Sequence, residues 1–271
     1  MYTKQDIHRQ LQEMGVPRDS IILMHTSLRA VGEVEGRGCG LLDIMIEYVT
    51  AEGGLLCIPT HTWKNLEDLG KPTLDRNSDY TCIGTLPTLA VRHTAYINGK
   101  EYKPHRSQHP THSMVVYGDE EKAEEYIASE ELSESSTAPG GCYGKLPAMG
   151  GYILLVGVDH GSNTYLHSAE EILGIPDRLT DHLRPTTILN EDGTLVSRPI
   201  HSHKGGVSRW YPKYEPAFRH HGCIRDGYVG SAKTQLCSAA GMLEVMRLIR
   251  DRSKGAELLG HDDPIDPAFY E

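Results

Sequence analysis

No apolar stretch in the 271-residue chain approaches the roughly 20 residues that a membrane span needs. The opening segment, MYTKQDIHRQLQEMG, has no apolar run either, which argues against a secretory leader. None of the six cysteines (39, 57, 82, 142, 223 and 237) falls in a C-x-x-C pair. They read as reduced thiols of a cytoplasmic protein rather than a disulfide frame. There is no G-K-[ST] phosphate loop, no dinucleotide fingerprint and no G-x-S-x-G elbow, so three common enzyme classes have no support. Repeats and low-complexity segments are also missing. Positive charge is in deficit: the formal net charge is -10. Nucleic acid and anionic membrane surfaces are therefore poor partners and a cationic substrate is favoured, although solubility alone accounts for much of such a charge.

Apolar residues make up 38% and charged residues 24%, as expected of a packed globular chain. Thr3, with Asp6 three residues on, caps a first helix whose apolar face is Ile7, Leu11 and Met14; Gly15 and Pro17 stop it. IILMH (21–25), GLLCIPT (54–60), MVVYG (114–118) and YILLVGV (152–158) read as buried strands. Amphipathic segments 41–50, 84–93 and 119–129 lie between them and read as helices. This alternation predicts a layered α/β fold, as a single domain over residues 1–271. Residues 186–202 read as a hairpin turning at Glu191-Asp192-Gly193, and 234–253 as one long closing helix. The acidic, Pro-broken tail, 260–271, reads as loose or laid over the surface.

The stretch VGVDHGSNTYLHSAEEI (156–172) runs from a strand through a glycine turn into a helix capped at Asn163 or Thr164. At helical spacing Tyr165, Leu166, Ala169, Ile172 and Leu173 share one side. His167 lies opposite, with Glu170 and Glu171 both in reach of its ring. One reading is a solvated polar face. The other is a base whose tautomer a carboxylate fixes, at the strand end where open α/β sheets bind ligands. Spacing does not choose between the two glutamates.

Two further clusters invite chemistry. HTSLRAVGEVEGRGCG (25–40) offers Thr26, Ser27, Arg29 and glycines before a helix, a weak anion cradle. KPHRSQHPTHS (103–113) gathers Lys103, Arg106, Ser107, His109, Thr111, His112 and Ser113. These could grip phosphate, but their histidine spacings match no common zinc site, so no metal is expected. Cys142, in PGGCYGK, is a weak candidate nucleophile.

Taken in order, HTSLRAVGEVEG, PTHTW, GTLPTLAVRH, HRSQHPTHSMVVYG, STAPGGCYGKL, ILLVGVDHGSNTYLHSAEE and, more weakly, DGYVGSAKTQL resemble the aminoglycoside 3-N-acetyltransferase family. The resemblance implies the antibiotic N-acetyltransferase fold, a layered α/β/α architecture distinct from GNAT enzymes, here with a β-hairpin excursion in the C-terminal part. It implies acetyl-CoA-dependent transfer to an aminoglycoside amine and antibiotic resistance. The family's catalytic histidine falls on His167 and its H-x-x-E acid on Glu170. Its CoA-contacting regions fall on Thr26, Ser27, Leu28, Arg106, Ser107 and Ser113. Asp159 and Glu171 are expected on the acceptor side, with Asp177 a further source of negative potential. Where the family commonly reads G-x-G-H-D-S-N-T, this chain has G-V-D-H-G-S-N-T, and the segment before residue 145 lacks the usual Phe–Gly pair. Both departures bear on the acceptor more than on the chemistry. Oligomeric state stays open between monomer and homodimer.

Overall fold

The computed structural model describes all residues except Leu69, Leu259 and Asp262, and all side chains of the rest except those of Glu131 and Leu132. Helix α1 (Lys4–Met14) starts as the sequence predicts. Thr3 Oγ1 accepts from Asp6 N at 3.2 Å, and Thr3 N donates to Asp6 Oδ2 at 3.0 Å, a reciprocal capping box. Gly15 ends the helix at φ 69°, a left-handed conformation that costs glycine least. Next come β1 (Ile21–Thr26), α2 (Leu28–Val31), α3 (Arg37–Thr50), β2 (Leu55–Pro59), β3 (Leu74–Asp75) and α4 (Thr85–Ala90). The middle of the chain supplies β4 (Ala95–Ile97), β5 (Lys100–Tyr102), β6 (His105–Arg106), β7 (Met114–Tyr117), α5 (Glu120–Ala128), β8 (Tyr152–Val156) and α6 (Tyr165–Ile172). The last part holds β9 (Thr187–Leu189), β10 (Leu195–Ser197), α7 (Glu215–His220), β11 (Ile224–Val229), β12 (Ala232–Ser238) and α8 (Ala239–Ser253).

Among the described residues, seven strands make the main sheet in the order β11-β12-β8-β1-β2-β7-β6. Its centre, β8-β1-β2, is parallel, and antiparallel strands extend it on both sides. Side chains alternate between two cores, as the two-residue period of a strand requires. Ile153 and Leu155 of β8 join Ile21, Leu23 and Cys57 against α5, α6, α7 and α8. Leu154 and Val156 join Ile22, Met24 and Ile58 against α1, α3 and α4. The sheet is therefore covered on both faces, which is why its central strands are continuously apolar.

The hairpin at 186–202 forms as expected, Leu195 pairing with Leu189, and β3 extends it to three strands. One expectation needs correction. Residues 234–238 are strand, not the start of the last helix; Thr234 pairs with Val156, and α8 begins only after Ser238, whose hydroxyl accepts from Gly241 N at 3.1 Å. Apolar Leu236 and Cys237 fit either a strand or a helix, and the open edge of β8 decides for the strand. Of the two readings of the tail, loose or laid over the surface, the second holds where it is described: Ile265 and Tyr270 are buried against the first core, and His221 Nε2 meets the Tyr270 carbonyl at 2.6 Å. Asp262 lies outside the described residues.

Leu154 is fully buried at the centre of the sheet. Leu154→Ala is expected to lower unfolding free energy by about 2–5 kcal/mol, read from urea denaturation; a loss below about 1 kcal/mol would mean the two-core packing is wrong.

Candidate active site

The chain reverses direction across the sheet between β8 and β1. From β1 it passes through α3, on one face, to β2. From β8 it enters α6 on the other face and returns to the opposite side of the sheet. The two connections part at the C-terminal ends of β1 and β8 and leave a crevice there, the place where open α/β sheets hold ligands. A cavity of about 660 Å³ opens at this point. His25 and Thr26 from β1, His61 after β2, His112 before β7 and His167 on α6 line it, and His203 and Lys204 close it from the segment after the hairpin.

Gly157 makes the exit from β8 possible. Its φ is 65°, and a Cβ there would lie 2.4 Å from Ala30 Cβ. Asp159 then caps the following turn, Oδ1 accepting from Gly161 N at 2.9 Å. A Cβ at position 161 would stand 3.0 Å from that same oxygen, so Asp159 and Gly161 make one compatible pair. This is a structural reason for the sequence departure at these two positions.

Helix α6 does not carry a solvated polar face. Ser168 and Glu170 are buried along with Tyr165, Leu166 and Ala169, because the segment 178–214 covers the side that periodicity assigned to water. Glu170 Oε1 accepts from Arg178 Nε at 2.8 Å, with side chains only 2% and 7% exposed. Its other oxygen, Oε2, lies 2.8 Å from Tyr211 Oη, and Tyr211 Oη lies 2.7 Å from His167 Nδ1. The expected direct His167–Glu170 dyad is thus corrected to a triad bridged by Tyr211. Burial pushes the Glu170 carboxyl up from its ordinary range, while Arg178 and Tyr211 pull it back. With the carboxylate accepting, the single Tyr211 proton goes to Glu170. Tyr211 then accepts Nδ1–H from His167, which leaves Nε2 with a free lone pair. Burial first, then His203, His61 and Arg178, hold the His167 ring well below its ordinary pKa, so it is neutral and able to accept a proton.

Glu171, expected on the acceptor side, is held by hydroxyls and an imidazole. Ser135 Oγ donates to its Oε2 at 2.5 Å and Thr137 Oγ1 to its Oε1 at 2.6 Å. His203 Nε2 lies 3.6 Å from Oε1. Burial opposes the charge, but His203 and the two hydroxyls outweigh it and hold Glu171 below the usual carboxylate range. Asp159 is exposed on the far side of its turn and borders a second depression with Glu215, Arg219 and Asp226. Asp177 meets Lys204 at 3.0 Å in solvent.

The residues carried over for CoA divide. Thr26 lines the cavity, and its Oγ1 is buried without a hydrogen-bond partner among the described residues, as are His25 Nε2 and Ser202 Oγ in the same wall. Ser27 caps α2, accepting from Ala30 N at 3.4 Å, and Leu28 packs beside the second core. Arg106, Ser107 and Ser113 lie away from the cavity lining. Arg106 Nη1 donates to the Ser78 carbonyl at 3.0 Å, Ser107 Oγ accepts from Met114 N at 3.0 Å, and Ser113 Oγ donates to the Thr60 carbonyl at 2.9 Å. The two serine hydroxyls knit β7 to its neighbours. Cys142 is fully buried, and burial pushes its thiol well above the ordinary range, so it is not a nucleophile. Among the described residues, no group of three or more His, Cys, Asp and Glu is arranged to hold a metal.

A model of the family described as aminoglycoside 3-N-acetyltransferase matches residues 23–249. The chain belongs to the aminoglycoside 3-N-acetyltransferase family. It is 30% identical to aminoglycoside N(3)-acetyltransferase IV of Salmonella sp over 195 residues, 72% of this chain and 67% of that protein. It is 27% identical over 179 residues to the aminoglycoside N(3')-acetyltransferase-like protein YokD of Bacillus subtilis, which covers 62% of this chain and 64% of that protein. The alignments to these curated relatives thus span about two thirds of their length. The crystal structure of YokD from Bacillus subtilis superposes with a TM-score of 0.70 at 25% identity, covering 90% of this chain and 97% of that one. A structure of AAC-IIIb with CoASH gives 0.74 at 21% identity, covering 93% and 97%. The layered fold is that of this family.

Burial holds His25 and His109 down at about 3. The unfolded chain protonates these rings as pH falls below the ordinary value of 6.5, whereas the folded chain does not until about pH 3. Stability is therefore whole above pH 6.5 and is lost on acidification, by up to about 1.4 kcal/mol per pH unit for each such ring. Urea midpoints should fall from pH 7.5 to pH 5; a flat or rising trend would contradict neutral buried histidines.

Proposed function

We propose that the chain transfers the acetyl group of acetyl-CoA to an amine of an aminoglycoside, the 3-amino group in its relatives' names, directly and with His167 as general base. The observation that carries this reading is the Glu170–Tyr211–His167 triad at the cavity wall, whose hydrogen-bond order leaves the lone pair on Nε2 of His167. Acetyl-CoA supplies a thioester carbonyl as the acyl donor. The cavity fits such a group: His25 Nε2, Thr26 Oγ1 and Ser202 Oγ are orphaned polar atoms suited to carbonyl and amide partners, and Arg184 and Lys204 offer charge to phosphates. His167 Nε2 takes the proton that the amine nitrogen loses as it bonds to the acetyl carbon. The carbon–sulfur bond breaks, and His167 returns the proton to the departing sulfur. Glu170, through Tyr211, stabilises the imidazolium in between.

One observation favours a second reading, transfer to a less cationic amine. The acids expected to attract a polycation are engaged elsewhere or face away, and the charged residues lining the cavity are Glu67, Arg184 and Lys204.

The test is thiol release from acetyl-CoA with gentamicin and with smaller amines. Amine-dependent release is expected, falling by about 10²–10⁴-fold in His167→Ala and less in Tyr211→Phe. Near-normal turnover in His167→Ala would contradict the base assignment. Release with small amines but not gentamicin would select the second reading.

A further inference from the structure

The base proposed above has a second, unassigned neighbour. The imidazole of His203 stacks on that of His167, centroids 4.0 Å apart and planes 13° from parallel. The Tyr211 ring meets His167 edge-on, 5.0 Å away at 71°. The ring is thus clamped by one face contact and one edge contact. A histidine needs such a clamp, because its terminal torsion has a broad energy well and does not set the ring plane by itself. The Tyr211 hydrogen bond fixes one atom of the ring; only a flat neighbour fixes its plane.

His203 is itself held. Thr137 gives its one hydroxyl proton to Glu171, so at 2.8 Å it accepts from His203 Nε2–H. Ser135 holds the other oxygen of Glu171. The backbone holds it too: Leu179 and His203 form an antiparallel bridge, and Lys204 N donates to the Arg178 carbonyl at 2.9 Å. Arg178 is the residue whose guanidinium grips Glu170. One short crossing of two segments therefore anchors both the triad and the stacked ring.

We infer that His203, latched by Thr137 and Glu171, is a positioning residue that fixes the plane of His167 and aims Nε2 into the cavity. The inference rests on the reading of His167 as base. The groups facing His167 are Tyr211, His203, His61, His112 and Arg178, and those facing His203 are Glu171, Glu170, His112, His61 and His109. Of the groups around His167, His203 covers a whole ring face. Its loss exposes that face to water and removes a neighbour that disfavours a positive charge, so protonation of His167 becomes easier.

The experiment follows the ring titration of His167 by NMR in the full chain for wild type, His203→Ala and His203→Phe, with thiol release from acetyl-CoA and gentamicin beside it. In wild type the ring should stay neutral to the lowest pH at which the fold survives. In His203→Ala its titration should move to higher pH. Any gentamicin-dependent kcat should fall by about 10–100-fold, the cost of a misaimed group, with KM for acetyl-CoA unchanged. His203→Phe, which keeps a flat face but not the ring nitrogens, should recover part of kcat and keep part of the titration shift. An unchanged titration in a folded His203→Ala protein overturns the inference. Loss of thermal stability with no titration shift would make His203 merely structural and overturn it equally. Normal turnover in His167→Ala would instead overturn the base assignment, so the two failures are distinguishable.

Discussion

Glu170 and Arg178 meet at 2.8 Å in a place that water barely reaches. An ion pair there is retained at a desolvation cost, and removal of either partner would leave a buried charge alone. The arrangement around His167 follows from this contact. Because Arg178 occupies one carboxylate oxygen, the other is left for Tyr211, and because Tyr211 has one proton to give, His167 must donate through Nδ1. The tautomer of a half-buried ring is thereby set by a guanidinium two residues removed along the hydrogen-bond chain. The same Arg178 ties its own segment to residues 203–204 through the backbone, so the segments flanking the hairpin, with Arg184 and residues 202–208, complete the wall of the cavity.

Much of the fold was legible in the sequence because its signals are local. The Thr3/Asp6 box, the four apolar runs of the sheet and the turn at 191–193 each need only a few neighbouring residues. The boundary at residue 238 was not local. Apolar 234–237 suits either period, and the choice belongs to β8, almost eighty positions earlier in the chain. His167 and Glu170 were legible as candidates from their spacing and from the family resemblance. Their true relation was not, because Tyr211 and Arg178 reach them from segments with no motif of their own, and the interposed phenol replaces a direct contact. Helical periodicity misjudged the polar side of α6 for the same reason: it assumes that the face opposite the core meets solvent, and here residues 178–214 cover it. His203 sits in HSHK, where no sequence signal separates it from the chain's other histidines.

Net charge and local charge point in different directions. The chain carries -10 overall, yet its cavity is lined chiefly by histidines, hydroxyls and apolar side chains, with Glu67, Arg184 and Lys204 on the wall. Five histidines line one crevice, and burial keeps His25, His61, His112 and His167 neutral. A crowd of uncharged imidazoles gives polar partners without fixed charge, which suits a site that must accept a proton from one group and hand it to another. The long-range field of an acidic surface still draws cations toward the molecule.

The central claim is that the buried ion pair, acting through Tyr211, fixes His167 as the Nδ1–H tautomer with Nε2 bare. The most direct measurement is the ¹⁵N chemical shifts of the His167 ring nitrogens in the wild-type protein at neutral pH. A protonated Nδ1 and an unprotonated Nε2 are the predicted result. The opposite tautomer, or an equal mixture of the two, would contradict the account.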